Sequence, residues 1–224
     1  MKSNHPKISI IVAVYNQEKF IGRCLRSLLN QSISSSEYEI IVVDDGSTDL
    51  TPYALDLFHG SITAITNPRN LGLPAALNIG IRRASSKYII RVDSDDFVNS
   101  NFLNFLATYL DLNPNSHAVA CDYLLVNDTG DWIKRVNCAE DPIACGIMFR
   151  SKHLFEIGLY DENFRYHEDK DLRFRFEKKY VVDRLNIPLY RYRRHADNIT
   201  NDVEEMNFHK KQLINKHGHQ VLNS

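Results

Sequence analysis

The sequence carries no surplus of basic charge. Its 27 Lys and Arg residues stand against 28 Asp and Glu, a net charge of -1 at pH 7. Nucleic-acid binding calls for a basic patch or stripe, so no nucleic-acid partner is expected. The four cysteines, Cys24, Cys121, Cys138 and Cys145, include no CxxC pair, which leaves no ligand spacing for a structural zinc. Cys121 and Cys138 read as core or free thiols. No apolar run approaches the roughly 20 residues a spanning helix needs. The run Ile8–Val14 is short and ends in polar residues with no cleavage site, unlike a secretory signal. These absences predict a reduced, cytoplasmic protein, with room for a peripheral contact at the inner face of the membrane. There is no internal repeat, no low-complexity segment and no clear linker.

What is present suits one globular domain: 224 residues, 43% apolar and 25% charged. The first half alternates strand and helix signals. Residues 8–14 (ISIIVAV) and 39–44 (EIIVVD) are continuous β-branched runs, as in strands buried on both faces. Asn16 is placed to cap a helix whose stripe holds Phe20, Ile21, Cys24, Leu25, Leu28 and Leu29. Further strands are predicted at 62–66 and 87–92, and helices from Thr51 to about 58, at 73–84 and at 99–112, the last ended by Pro114. Such alternation implies a mostly parallel sheet with helices on both faces. After about residue 115 the rhythm changes. Strands are predicted at 118–126, 132–137, 145–150 and 181–192, with a charged helix at 168–179. The expected division is a nucleotide-binding half over 1–115, an acceptor half of the same domain over 116–200, and a polar tail over 201–224 that is helical or partly disordered.

Polar residues gather at the carboxyl ends of the predicted parallel strands, where open α/β sheets bind ligands. Strand one ends in Tyr15-Asn16-Gln17-Glu18, strand two in Asp44-Asp45-Gly46-Ser47, and strand four in Asp93-Ser94-Asp95-Asp96. Asp and Asn are ordinary turn formers, but three acidic strand ends in consecutive units point to a site. Clustered carboxylates repel one another and need a cation. Hard oxygen ligands suit Mg²⁺ or Mn²⁺, which bind through one or two carboxylates plus phosphate oxygens.

The pieces ISIIVAVYNQEKFI, EIIVVDDGSTD, NPRNLGLPAALNIGI, KYIIRVDSDD, YDENFRYHEDKDLRFR and YRRHADNIT stand in the order found in the family 2 glycosyltransferases, which the chain resembles over roughly residues 7 to 200. Many relatives have a proline where Ala13 stands. The resemblance implies a GT-A fold: an α/β domain with a Rossmann-like nucleotide-binding half, a mostly parallel central sheet and a mixed acceptor-binding half. It implies inverting transfer of a sugar from a nucleotide sugar to an acceptor hydroxyl, in the synthesis of surface polysaccharide or glycoconjugate. By the same resemblance the backbone at Ala13 and the side chains of Tyr15 and Glu18 line the nucleotide. Asp45 accepts a hydrogen bond from the base, and Arg69 and Asn70 close the pocket. Asp93 and Ser94 reach the ribose side, Asp93 and Asp95 meet the metal, and His195 completes the metal or diphosphate shell. Asp169, in the pair Glu168-Asp169, matches the base. A uracil imide suits a lone carboxylate, so a UDP-sugar donor is favoured; the acceptor is a saccharide or lipid-linked, and a homodimer is allowed.

Other residues admit plainer readings. Arg191, Arg193 and Arg194 offer a steering field for a diphosphate or a solvated strand face. Trp132 offers a surface to an acceptor sugar or plain packing. Glu168, Asp169 and Asp171 also fit an acidic helix start. A phosphoacceptor receiver domain has acids at strand ends but no place for the second half. A nucleotidyltransferase that makes sugar nucleotides opens with a Gly-rich loop, and YNQEKF has no glycine. A sugar-nucleotide binder without catalysis would not need Asp95 and Asp169.

Overall fold

The computed structural model describes residues 5–195, 203–218 and 221. The first half runs β1 (Ile8–Val14), α1 (Ile21–Leu29), β2 (Tyr38–Asp44), α2 (Thr51–Asp56), β3 (Thr63–Thr66), α3 (Leu73–Arg83) and β4 (Tyr88–Arg91). It continues through β5 (Phe97–Val98) and α4 (Phe102–Leu112). The second half runs β6 (Ala118–Val126), β7 (Trp132–Val136), β8 (Ile147–Arg150), α5 (Ser151–Glu156), α6 (Glu168–Glu177), β9 (Val182–Arg193) and α7 (Val203–His217).

The described strands form one sheet in the order β3-β2-β1-β4-β8-β6-β9-β5, with β7 paired to β6. β1 pairs in parallel with β2 on one side and β4 on the other, with Ile10 beside both Ile40 and Ile90. A strand flanked on both edges and covered on both faces must be apolar throughout, and Ile8, Ile10, Ile11 and Val12 are fully buried. Each such side chain stabilises the fold by roughly 1.5–3 kcal/mol. α1 buries Ile21, Cys24, Leu25 and Leu28, the expected stripe. α3 starts at Gly72 with a proline in its first turn, a favoured helix opening.

The chain leaves β1 for β2 on one side, while β4 lies on the other. This change of direction opens a crevice at the carboxyl ends of β1 and β4. β8 then enters antiparallel between β4 and β6, and β9 runs parallel to β6. The second half is thus mixed, as expected.

Several local expectations are corrected. Asn16 does not cap α1; its backbone is left-handed (φ 51°) and the cap position belongs to Phe20. The helix expected from 99 starts at Phe102, because Phe97 and Val98 pair with Arg191 and Tyr190 as β5. The six-residue α5 was not read from the sequence. The helical part of the tail, α7, packs Leu213 against Phe164 and Val221. Residues 196–200, the end of the YRRHADNIT segment, lie outside the described residues. No described helix is long and apolar enough to cross a membrane.

Candidate active site

Three loops at the carboxyl ends of β1, β2 and β3 are sewn together by hydrogen bonds. The Asn16 amide donates to Ser47 Oγ at 2.9 Å, and Asn16 Oδ1 accepts from the Thr48 amide at 2.8 Å. The Glu18 amide donates to Asp49 and the Leu50 amide donates to Glu18 Oε2 at 2.8 Å. The left-handed turn at Asn16, rather than a helix cap, is what this side chain serves. Tyr15 and Glu18 are exposed at the mouth of the crevice, and Ala13 is half-buried at the end of β1.

Asp45 is buried and holds the third loop. Its Oδ1 accepts from Asn67 Nδ2 at 2.7 Å and from the Leu71 amide at 2.9 Å, and its Oδ2 accepts from the Gly72 amide at 2.8 Å. A carboxylate offers about four acceptor positions, so one remains on Oδ2. Arg69 and Asn70, both exposed, ride on this loop. Gly46, at φ 76°, lets it come close: a Cβ there would lie 2.6 Å from the Arg69 carbonyl carbon.

The DSDD turn after β4 carries the densest charge. Asp93 is half-buried and faces Arg91, two residues earlier on the same side of the strand; Arg91 Nε donates to Asp93 Oδ1 at 2.6 Å and Nη2 to Oδ2 at 3.3 Å. Ser94 and Asp96 are buried. The Asp96 carboxylate accepts from the Tyr190 hydroxyl at 2.7 Å and from the Arg193 amide at 2.7 Å. Burial, then Asp95 and Asp93, pushes Asp96 well above the usual carboxylate range. Burial and the neighbouring Asp93 also raise Asp95, against the pull of His195. His195 Nε2 lies 2.9 Å from Asp95 Oδ2, and its ring rests on Phe20 with centroids 4.7 Å apart. The end of β9 therefore delivers His195 to the turn after β4.

His195 is paired with Asp95, but the ligand atoms of Asp93, Asp95 and His195 do not form one cluster among the described residues. His195 Nε2 and Asp95 Oδ2 are hydrogen-bonded at 2.9 Å, and carboxylate and imidazole donors of this kind can hold Mg²⁺ or Mn²⁺. Ligand atoms of Asp93, Asp96 and Cys145 lie within 4.8 Å of one another. Asp96 already accepts from Tyr190 and Arg193, and Asp93 accepts from Arg91 on both of its oxygens.

Asp169 stands in the first turn of α6, half-buried, beside a small apolar cleft of about 50 Å³ shared with Tyr160, Ile147, Leu172 and Phe176. Leu172 and Phe176 anchor its side of the helix, as the spacing predicts. Glu168 points inward instead, where Arg91 Nη1 donates to its Oε1 at 3.0 Å. Burial pushes Glu168 up to about 7, against the pull of Arg91 and with help from Asp169. Asp171 is fully buried and belongs to a different cluster, accepting from Arg175 at 2.6 Å, Lys216 at 2.6 Å and His217 at 2.7 Å.

Arg193 is a correction. It is the largest fully buried side chain among the described residues, not a solvated steering charge. Its Nε donates to the Asp95 carbonyl at 2.7 Å and its Nη1 to the Asp128 carbonyl, so it fastens the DSDD turn to the β6–β7 turn. Trp132 is exposed on β7. Sequence reasoning missed Arg91 and Tyr190. The signal for Arg91 was a charge inside the otherwise apolar strand YIIR, since a buried charge needs partners.

The sequence profile of Glycosyl transferase family 2 matches residues 9–158. The chain belongs to glycosyl transferase family 2. This family 2 chain is 43% identical over 167 residues to a poly(ribitol-phosphate) beta-glucosyltransferase of Bacillus spizizenii, covering 70% of the chain and 26% of that relative. It therefore spans about a quarter of the length of that curated relative. Among solved structures, Staphylococcus aureus TarS 1-349 in complex with UDP-GlcNAc superposes with a TM-score of 0.77 at 22% identity, over 96% of this chain and 70% of that one. The mannosyltransferase PcManGT of Pyrobaculum calidifontis, in complex with GDP-Man and Mn²⁺, superposes with a TM-score of 0.74 at 17% identity, over 96% of this chain and 64% of that one. Likeness at this identity establishes the GT-A fold of the family 2 domain, a curled, mostly parallel sheet with a mixed extension.

Proposed function

We propose that this domain transfers a sugar from a nucleotide sugar, with UDP as the favoured nucleotide, to an acceptor hydroxyl, and that it inverts the anomeric centre. The observation that carries the reading is Arg91. Its guanidinium joins Asp93, at the nucleotide-side strand end, to Glu168, next to Asp169. Donor-side and acceptor-side acids thus meet at one place.

In this reading Ala13, Tyr15, Glu18, Arg69 and Asn70 wall the nucleotide. The vacant acceptor position of Asp45 takes the base N–H, and Asp93 and Ser94 take the ribose side. Asp93, Asp95 and His195 hold a divalent cation, Mn²⁺ or Mg²⁺, which when bound neutralises charge on the departing diphosphate. The Mn²⁺ in the PcManGT complex and the UDP-GlcNAc in the TarS complex support both choices.

Asp169 accepts the proton of the acceptor hydroxyl as that oxygen forms its bond to the anomeric carbon. The bond from that carbon to the diphosphate oxygen breaks, and its electron pair leaves with the diphosphate. A base must lie within hydrogen-bond reach of the proton it removes, and Asp169 borders a cleft rather than the core. Because burial lifts Glu168 to about 7, its carboxyl is partly neutral near pH 7 and crowds Asp169 with less than a full negative charge. The bacterial relative that builds a poly(ribitol-phosphate) β-glucoside supports a saccharide, lipid-linked or wall-polymer acceptor.

A panel of UDP-, GDP- and CMP-sugars, read by released nucleotide, selects the donor. Asp169→Asn is then expected to bind that donor but to lose about 10²–10⁴-fold in turnover, and NMR of the wild-type product should show an inverted anomer. Near wild-type turnover by Asp169→Asn, or retained configuration, overturns the assignment.

A further inference from the structure

We propose that Arg91 is a positioning residue that locks Asp93 and the base-bearing turn of α6 into one rigid unit. The inference rests on the reading of Asp93 and Asp169 given above and deepens it.

The geometry is specific to a guanidinium. Arg91 is the last residue of β4 and is buried. Two of its nitrogens grip both oxygens of Asp93, at 2.6 and 3.3 Å, while the third donates to Glu168 at 3.0 Å. The Tyr160 ring lies 6.0 Å from the guanidinium carbon, at the distance where a cation and a ring face still attract. Asp93 and Glu168 are 75 positions apart in the chain and sit on elements that share no ladder: β4 pairs with β1 and β8, and α6 follows a loop. Arg91 is the only described residue that hydrogen-bonds through its side chain to both. One fork of fixed shape can hold two carboxylates at a set separation, whereas an ammonium is a point charge on a flexible stem.

The consequence reaches Asp169 through its neighbour. With Glu168 held inward by Arg91, the next residue of the helix turns toward the cleft. Loss of the fork removes the donor that holds Glu168 inward beside Asp169, so the first turn of α6 is free to shift. A displacement near 1 Å at a reacting group costs on the order of 10²-fold in rate.

The test compares Arg91→Met, Arg91→Lys and Glu168→Gln, using the donor selected by the panel above for turnover and UDP with Mn²⁺ as the calorimetric probe. Arg91→Met should weaken UDP–Mn²⁺ binding about tenfold through Asp93 and lower kcat about 10²-fold. Arg91→Lys, which keeps the charge and the fold, should lower kcat more than tenfold with a melting temperature near wild type. Glu168→Gln should lower kcat while leaving UDP–Mn²⁺ affinity within twofold. Arg91→Met made in the Glu168→Gln background should lower kcat far less than it does alone. Wild-type kcat in Arg91→Lys, or an equal loss from Arg91→Met in both backgrounds, overturns the proposal. Asp169→Asn run alongside separates the two failures. If it is inactive while both Arg91 variants turn over normally, only the positioning role fails; if it is active, the reading of the base fails.

Discussion

Gly46 joins the loops after β2 and β3, and its replacement by alanine has a cost that can be worked out. At φ 76° any other L-residue pays about 1–2 kcal/mol for left-handed backbone. The added Cβ would also lie 2.6 Å from the Arg69 carbonyl carbon, 2.8 Å from its Cα and 3.0 Å from the Asn70 nitrogen. These are backbone atoms, so no rotamer change relieves the overlap, and overpacking adds about 1–3 kcal/mol. A chain of this size loses about 2–4 °C of Tm per kcal/mol, so Gly46→Ala should lower Tm by about 4–20 °C. Gly60 supplies the control. It has φ 83° with nothing within 4 Å of a built Cβ, and it precedes β3, at the sheet edge away from the site. Gly60→Ala should show only the backbone cost, about 2–8 °C by the same conversion. Pushing the loop away from Gly46 also strains the bonds from the Leu71 and Gly72 amides to Asp45. A displaced Asp45 carboxylate presents its open acceptor position less well, so UDP affinity should fall along with Tm. Thermal melting and UDP calorimetry on both variants decide the matter. Equal Tm losses with unchanged UDP binding would refute the reasoning.

Three further outcomes are expected. Excess EDTA should abolish turnover and Mn²⁺ or Mg²⁺ restore it, and Asp95→Ala should cost at least about 10²-fold in rate; full activity in EDTA rejects the metal. UDP should bind more tightly than GDP, because one open acceptor position on Asp45 matches one imide N–H, and a tighter GDP by calorimetry reverses that preference. Burial alone would raise Asp171, but hydrogen bonds from Arg175, Lys216 and His217 outweigh it and hold its carboxyl below the usual range. A depressed folded-state pKa contributes stability that is fully present above the unfolded value of about 4 and is lost as pH falls through the folded one. Asp171→Asn should therefore destabilise by about 3–5 kcal/mol at pH 7, with the gap to wild type narrowing below pH ~4; a gap in urea unfolding that stays constant with pH contradicts this.

The first half was legible because each of its elements is written locally. The β-branched runs of β1 and β2 and the stripe of α1 read directly as buried strands and an amphipathic helix, and the acids stand next to the strand ends in the sequence itself. What was not legible depends on distant partners. Asn16 looks like a helix cap until the loop holding Thr48 is placed beside it. Phe97 and Val98 look like a helix approach until β9 arrives to pair with them. Arg193 looks like a surface charge, because nothing near it in the chain announces the Asp95 and Asp128 carbonyls it serves. The joining of Asp93 to Glu168 through Arg91 was equally hidden, although a lone arginine in a buried strand already demanded a carboxylate from somewhere.

The insertion of β8 between β4 and β6 bears on how this protein can be cut and made. β4 acquires its second neighbour only from a segment synthesised nearly 60 positions later. A fragment ending after α4 would present the wholly apolar Tyr88–Ile90 face with a row of unpaired amides and carbonyls. Such a bare, flat edge is a template for self-association. The segment up to α4 is thus expected to precipitate when expressed by itself and to stay soluble only when the later strands are supplied, in the same chain or in trans. On the ribosome the same interval is a window in which that edge needs shielding. In evolutionary terms, exchange of second-half segments between relatives must keep a strand equivalent to β8, whatever else is swapped.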